Sequence, residues 1–440
     1  MRSLRIARIS QVYGSPTVAR MYAEDSGSLV LKTYDEQLAR ILHEKVHYSD
    51  AFEKAMRELG HEALGIVSDI EPLQRAWAKE HGVDWSREGP AGTVLAQLKA
   101  WKPDAVCSQD LFSLPHHLRK NIKTLVPSVK ATVVFKGSPG GLEEAGGSDL
   151  VFAATPHFVE AFKKLGFNTR LLPHSFDDSI WRSLRSETGD DRPHPVTFAG
   201  MSGYGWGLDF QSRYWTLRLL FEKIAGFEAW TNERETVRGF RFRMWKLAKS
   251  MVDVCPDRLL QELARSSGGS VSVRRVAAQT LFWREALAAN RVQFPEEPLF
   301  RVPRPADRPL KKLFPERCHA PVYGLDMFRL LGRSRIVFNR HADFAAGIAG
   351  NIRLFEATGM GACLVTERCG NIGDLFREGS EVVTYATASE CADKIRYLIA
   401  HPAECGRIAQ AGQTRTLRDH TPLNRAQTVS DELQKIISGP

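Results

Sequence analysis

Between positions 339 and 367 the chain reads NRHADFAAGIAGNIRLFEATGMGACLVTE. An apolar stretch ends at Phe338, small residues including Gly347 and Gly350 follow, and a helical pattern starts near Asn351. A loop of small residues lets backbone approach a ligand closely, and a helix start offers free N–H groups and a positive dipole to an anion such as phosphate. Arg353 and Glu356 stand three residues apart, so they share one face of that helix. The cation there suits a diphosphate, and the carboxylate one turn on suits ribose hydroxyls. The alternative is an exposed Arg–Glu pair worth about a few tenths of a kcal/mol. His341, just past the strand, could touch the phosphate or sugar of the same ligand.

Other candidates are sparser. The run GMSGYGWG at 200–207 follows a strand pattern and precedes a helix carrying Arg213. Gly200 and Gly203 permit close approach of a phosphate, but the spacing is not G-x-G-x-x-G in register, and a plain flexible loop is the competing reading. In the first 180 residues, Asp110 follows a strand over 104–108, KGSPGG at 136–141 follows another, and His174 follows a third over 169–172. Ligands of open parallel sheets sit at strand C-terminal ends. Each of these residues could therefore contact a second reactant or take its proton; a cap or turn role is the alternative for each. No D-x-D pair is placed to hold a metal at a diphosphate, so neither a metal site nor a resident cofactor is expected.

The elements that position these residues alternate. With 440 residues the chain exceeds the size at which single cores stop growing, about 250–300 residues, which predicts two domains. Strand patterns fall at 4–9, 63–67, 104–108, 131–135, 149–153 and 169–172. Helical patterns fall between them: one long helix from Thr33 to Gly60, then 71–81, 94–101, 115–125 and 156–165. Strands separated by helices mean a parallel sheet. The polar run RSETGDDRPHP at 185–195 reads as an inter-domain linker. The alternation restarts with a strand at 196–198, a helix at 213–224 and a strand at 227–230. Residues 232–320 break the rhythm as a basic, helical and then proline-rich insertion. A helix at 325–331, a strand at 335–338, a helix at 351–358, and strands at 362–366 and 381–385 resume it. Helices at 388–400, 404–417 and 423–437 end it. The expected architecture is a domain over 1–180, a second over 195–420, and a last helix, 423–437, that returns to the first.

The net charge of +9 favours an anionic ligand or surface. Its densest basic stretch, Arg238 to Lys249, is interleaved with Phe240, Phe242 and Trp245. It reads as an amphipathic surface helix, with a peripheral membrane contact as the alternative; nucleic acid is not expected as a partner. The seven cysteines are scattered without a C-x-x-C pair, as free thiols of a reducing compartment would be, and Cys363 sits in an apolar run that should be buried. No apolar run reaches about 18 residues and the first residues lack a signal-peptide pattern, so a cytoplasmic protein is expected.

The segment FEATGMGACLVTE at 355–367 resembles the helix-then-strand signature of group-1 glycosyltransferases. A wider set is similar to the bacterial proteins named after spore-maturation protein CgeB: PVYGLDMFRLL (321–331), RIVFNRHAD (335–343), NIRLFEATGMGACL (351–364), LFREGSEVVTY (375–385), KIRYLIAHP (394–402) and RTLRDHTPLNR (415–425). YDEQL (34–38), EPLQRAWAKEHG (71–82) and LPHSFD (172–177) extend it to the first half. The resemblance implies an α/β GT-B fold, two Rossmann-like domains facing a cleft. It also implies metal-independent transfer, with retention, from a nucleotide sugar to a carbohydrate, protein or lipid acceptor. The nucleotide sugar is a substrate held mainly by the second domain, not a cofactor. Glu356 matches the second glutamate of the group-1 E-x7-E motif, which binds ribose. The first would fall at 348, where this chain has Ile348; Asn351, Arg353 and Asp343 are the candidates to replace it. The GMSGYGWG loop resembles the diphosphate-side loop, so Arg353, the helix start near Asn351 and Arg213 would stabilise the departing diphosphate. A GT-B epimerase or phosphorylase, and a degenerate module that binds sugar or nucleotide without turnover, are the rival readings.

Overall fold

The computed structural model describes residues 2–24, 27–46, 49–137, 145–188, 192–205, 210–233, 255–265, 277, 280–281, 308–345 and 347–439. The first half contributes strands β1 (Arg5–Ser10), β2 (Glu62–Val67), β3 (Ala105–Ser108), β4 (Ala131–Lys136), β5 (Leu150–Ala153) and β6 (Thr169–Leu171). Its helices are α1 (Pro16–Glu24), α2 (Tyr34–His43), α3 (Ala51–Glu58), α4 (Glu71–Glu80), α5 (Trp85–Trp101), α6 (His116–Leu125), α7 (Pro156–Lys164) and α8 (Asp178–Thr188). The second half contributes β7 (His194–Met201), β8 (Phe227–Asn232), β9 (Cys318–His319), β10 (Ser334–Asn339), β11 (Cys363–Glu367) and β12 (Val383–Tyr385). Its helices are α9 (Gln211–Lys223), α10 (Asp257–Arg265), α11 (Leu310–Leu313), α12 (Gly324–Gly332), α13 (Arg353–Gly359), α14 (Ile372–Leu375), α15 (Ala388–Ala400), α16 (Pro402–Asp419) and α17 (Pro422–Ser438).

The strands make two parallel six-stranded sheets, ordered β2-β1-β3-β4-β5-β6 and β12-β11-β10-β7-β8-β9. Parallel strands are covered by helices on both faces, so they read as continuous apolar runs. β3 (AVCS), β5 (LVFA) and β11 (CLVTE) are buried at every position. Cys363 in β11 is fully buried, and the cysteines are free thiols.

Two chain crossings join the halves. The segment after β6 runs beside the α16–α17 junction, where the Phe176 amide donates to the His420 carbonyl at 2.9 Å. α17 begins with a capping box, Thr421 against Asn424. It then buries Ala426, Val429 and Leu433 in the same cluster as Leu4, Ile6, Met56 and Phe152 of the first half. Arg425 on its first turns donates to the carbonyls of Pro173 (2.7 Å) and His174 (3.0 Å). Gly350, in the loop before α13, presses on the first half: a Cβ there would lie 2.1 Å from Thr155 Cγ2.

Several elements differ from the sequence expectation. The single helix expected from Thr33 to Gly60 is two, α2 and α3. Lys45 and Ser49 take left-handed backbone (φ 52° and 42°), and the Lys45 ammonium reaches Asp50 (3.1 Å) and Asp177 (3.0 Å). This long-range anchoring is invisible in the local apolar spacing. α5 starts at Trp85 rather than 94, because Gly89 kinks the chain at φ 60° just before Pro90, and DWSRE forms its own capped turn from Asp84. The polar run read as a linker from 185 is helical up to Thr188 as the end of α8, whose Ile180 and Leu184 are buried. The basic stretch 238–249 lies outside the described residues. Within 232–320, Cys318–His319 returns as the edge strand β9 beside β8. No described helix is long and apolar enough to cross a membrane.

Candidate active-site cleft

A cavity of about 480 Å³ opens where the C-terminal ends of the first sheet's strands face α13 of the second half. Its lining includes the turn after β3 (Gln109, Asp110), the end of β4 and the residue after it (Lys136, Gly137), and the segment after β6 (Leu172 to Asp177). Ile352 and Glu356 supply the opposite wall, and Pro422, Arg425 and Val429 of α17 close one side. The sequence-derived candidates Asp110, Glu356 and His174 are thereby brought together, although they arise from opposite halves.

Asp110 is held by one oxygen. Its Oδ1 accepts from the Phe112 (2.7 Å) and Ser113 (2.6 Å) amides, the turn role weighed for it from sequence. Its Oδ2 is buried without a hydrogen-bond partner. Gln109 beside it has the same split: Oε1 accepts from Arg8 Nη1 at 3.1 Å, and Nε2 is buried and unpartnered. A guanidinium can only donate, so this contact fixes which way the amide points. Arg8 forms a two-point ion pair with Glu53 (Nε–Oε1 2.7 Å, Nη2–Oε2 3.0 Å), and both residues are almost fully buried in the first sheet's core.

Glu356 is 8% exposed, not a surface residue. Arg353 Nη1 lies 2.7 Å from its Oε2 and also contacts the Met327 sulfur at 2.9 Å. Burial raises the Glu356 pKa, and Arg353 pulls back only part of that rise. The exposed-pair alternative therefore does not describe this site.

His174 and His420 flank Arg425. Burial, and then the Arg425 charge, lower His174 to about 4. Burial above all lowers His420 to about 4, with the Arg425 charge adding to it against a bond to the Leu375 carbonyl. Both rings are thus neutral in the fold, whereas an unfolded histidine titrates near about 6.5. Below that value the unfolded chain binds more protons, so stability is full above about 6.5 and falls as the pH drops towards 4. The urea midpoint should drop between about pH 7.5 and about pH 5. A flat midpoint would mean these rings are protonated within the fold.

The remaining candidates gather at the strand ends of the second sheet, outside the cavity wall. Arg213 of α9 is buried and spends its guanidinium on backbone, donating to the carbonyls of Arg340 (2.6 Å from Nη2) and Met201 (3.2 Å from Nη1). It ties the loop after β7 to the loop after β10. Burial lowers its pKa to about 10, which leaves it charged at neutral pH. Gly203 sits in the first of these loops, which folds back until a Cβ would lie 2.3 Å from the Phe210 carbonyl oxygen; Gly200 precedes it at the end of β7. Residues 206–209 of this run, Gly207 included, lie outside the described residues, as do 138–141 of KGSPGG. Asn351 Nδ2 donates to Asn339 Oδ1 at 2.8 Å, and its own Oδ1 is buried without a partner. Asp343, burial-raised in pKa, accepts from the Ser212 amide at 3.2 Å. The helix α13 starts at Arg353, two residues after Asn351.

His341 is 3% exposed and its backbone N–H donates to Glu367 Oε2 at 2.7 Å. Its Nδ1 lies 3.6 Å from that carboxylate and 3.8 Å from the Cys369 sulfur, while Nε2 has no partner. The three side chains bring their ligand-type atoms within 4.8 Å of one another. Their charge is already balanced: burial pushes the Glu367 carboxyl up, but Arg340 and His341 more than offset this and hold it below its ordinary range. Arg340 is the functional-looking residue that sequence reasoning passed over. Burial disfavours its charge, yet Glu367, Tyr385 and Asp343 raise its pKa above the ordinary arginine value. The signal was an arginine directly after the apolar strand IVFN, inside the segment already singled out. Gln109 and Arg8 were missed likewise, the latter a charge alternating with apolar residues in a buried strand.

A family model described as "Glycosyl transferase-like" matches residues 277–431, which include β9 to β12 and most of α17. No curated protein matches the chain in sequence. Among solved structures, HepE of Anabaena in complex with UDP-glucose is similar at 11% identity and TM-score 0.52, over 98% of this chain and 99% of that one. Sucrose-phosphate synthase of Thermosynechococcus elongatus is similar at 9% identity and TM-score 0.52, over 99% and 100%. A glycosyltransferase of Rickettsia africae is similar at 9% identity and TM-score 0.52, over 100% of both chains. With two parallel six-stranded sheets meeting at a cleft and near end-to-end likeness to these enzymes, the chain has the GT-B fold of glycosyltransferases.

Proposed function

We propose that this protein is a CgeB-like, cytoplasmic glycosyltransferase that moves a sugar from a nucleotide sugar onto an acceptor hydroxyl, without a metal ion and with retention at the anomeric carbon. The observation that carries the reading is the shared cavity: Glu356 from the second domain and Asp110 from the first face one space. The second domain (195–420) takes the nucleotide sugar, with the Glu356 carboxylate accepting the ribose hydroxyls. The first domain (1–180, with the last helix) takes the acceptor, whose hydroxyl donates to Asp110. Arg353 and Arg340 place positive charge at the strand ends where the diphosphate departs. A preorganised cation there is worth more than in water, because it needs no reorganisation as charge develops. Asn351 and His341 lie at the same strand ends, with Arg213 holding their loops in register. HepE was solved with UDP-glucose, which makes UDP-sugars the first donors to try.

The test is a panel of nucleotide sugars screened by thermal shift and then by release of nucleoside diphosphate. A donor present at a hundred times its dissociation constant stabilises by about 2.7 kcal/mol. Release that requires inorganic phosphate would make it a phosphorylase, conversion of the donor's own sugar an epimerase, and binding without release a degenerate binder. The anomeric configuration of the first-formed product checks retention. Activity should survive excess EDTA, since the diphosphate charge is met by arginines. Complete loss, restored by magnesium or manganese, would overturn the metal-independent assignment.

A further inference from the structure

The C-terminal ends of β10 and β11 lie side by side, because the two strands pair in parallel with Asn339 opposite Thr366. Residues just past that pair therefore meet: His341 comes from the loop after β10, Glu367 closes β11 and Cys369 follows it. The sequence shows no metal-ligand spacing here because the three side chains come from two separate loops. All are buried, with exposures of 3%, 5% and 3%. His341 Nδ1 lies 3.6 Å from Glu367 Oε2 and 3.8 Å from the Cys369 sulfur, and the ligand-type atoms of all three fall within 4.8 Å of one another. Among the described residues, no other three histidine, cysteine or carboxylate side chains are gathered so closely.

Around a tetrahedral zinc ion, bonds of about 2.0–2.2 Å to nitrogen and oxygen and about 2.3 Å to sulfur put the N···O edge at about 3.4 Å and the N···S edge at about 3.6 Å. The two edges here, 3.6 and 3.8 Å, are each wider by only about 0.2 Å, so small side-chain shifts admit an ion. The donor set selects the metal: thiolate and imidazole favour zinc, whereas magnesium and calcium take oxygen ligands. Charge fits as well, since a thiolate and a carboxylate cancel the two positive charges of zinc. Arg340, which otherwise faces Glu367, keeps Asp343 beside it. Burial holds the Cys369 thiol in its protonated form, so zinc takes the proton's place on sulfur and that proton leaves to solvent. The imidazole binds as the neutral ring through Nδ1, which puts its own proton on Nε2, the nitrogen without a partner in the fold. Glu367 Oε2 accepts from the His341 amide, and a carboxylate keeps further lone pairs for a metal.

We propose that His341, Glu367 and Cys369 hold one zinc ion, with a fourth position left to water, which braces the loop after β10 against the loop after β11. The ion is structural and stands apart from the transfer chemistry proposed above. None of its tests passes through turnover, so either reading can fail alone. The full chain, incubated with zinc and then dialysed, should retain one zinc ion per chain and melt at a higher temperature than the metal-stripped chain. Cobalt in its place should give the intense visible bands of tetrahedral coordination and a thiolate-to-cobalt charge-transfer band in the near ultraviolet. Excess magnesium should displace neither ion. Cys369→Ser should abolish the charge-transfer band and weaken zinc at least about tenfold, since even a partner outside the ligand set is worth that much. Cys255→Ser, at the one cysteine that is only half-buried, should change neither. Zinc lost on dialysis, cobalt bound without the charge-transfer band, or a band that survives Cys369→Ser overturns the proposal. Should Cys369→Ser fail to fold, His341→Ala is read in the same way, and the cobalt spectrum of the unchanged chain decides without any variant.

Discussion

Glu356→Ala is expected to weaken donor binding by roughly ten- to a hundredfold, because a charged hydrogen bond is worth about 1.5–3 kcal/mol. The carboxylate is built into the wall of the cleft, one turn inside α13, and is only 8% exposed. Its pKa is raised by burial and moderated by Arg353, so removing Arg353 leaves a carboxyl that is harder to ionise. Glu356→Gln should be milder, since an amide oxygen still accepts from a ribose hydroxyl. Arg353→Ala should act differently, mainly slowing turnover, because charge on the diphosphate grows as the sugar leaves. Calorimetric titration of folded Glu356→Ala with its donor decides the matter. Unchanged affinity would reduce Glu356 to a partner of Arg353 and sink the ribose assignment.

Glu53→Ala should lose about 3–5 kcal/mol of stability, the usual penalty for stranding one member of a buried ion pair. Arg8 lies inside the first sheet on β1, with side-chain exposures of 5% for it and 4% for Glu53. Its guanidinium also donates to the Ser49 carbonyl and to Gln109, so it links α3 and the preceding turn to the end of β3. Without Glu53 a charged group remains in a space that water reaches poorly. Replacing both residues by apolar ones of similar volume should cost less than the single change, since nothing charged is then left behind. Guanidinium unfolding followed by the first domain's tryptophans would measure both. A loss below about 1 kcal/mol for Glu53→Ala would show that solvent relieves Arg8, as it does for surface pairs.

Much of the fold is legible in the sequence for a simple reason. Parallel strands buried on both faces appear as apolar runs, such as ATVVF and IVF, and local chemistry marks the ends of the helices between them. Gly60, Gly82 and Gly166 all stand at positive φ just past a helix, where sequence reading placed the stops. The segment 339–367 is legible as well, since a strand, a small-residue loop and a helix carrying Arg353 and Glu356 are all local. Where local pattern failed, a distant group had intervened. The break between α2 and α3 follows Lys45 reaching Asp177, and the apparent linker at 185–188 is held as helix by Ile180 and Leu184 packing beneath α12.

Local pattern along the chain carries the two α/β blocks, the expectation that the last helix crosses back, and the residue types from which a cleft can be made. Tertiary structure decided which of them meet. Asp110 and Glu356 share a cavity only because the strand ends of the first sheet point at α13. The Arg213 guanidinium is likewise placed by distant groups, the backbone carbonyls of Arg340 and Met201. The physical reason is range: apolar periodicity and capping act within a few residues, whereas desolvation and the pairing of buried polar atoms depend on neighbours that chain folding alone brings near.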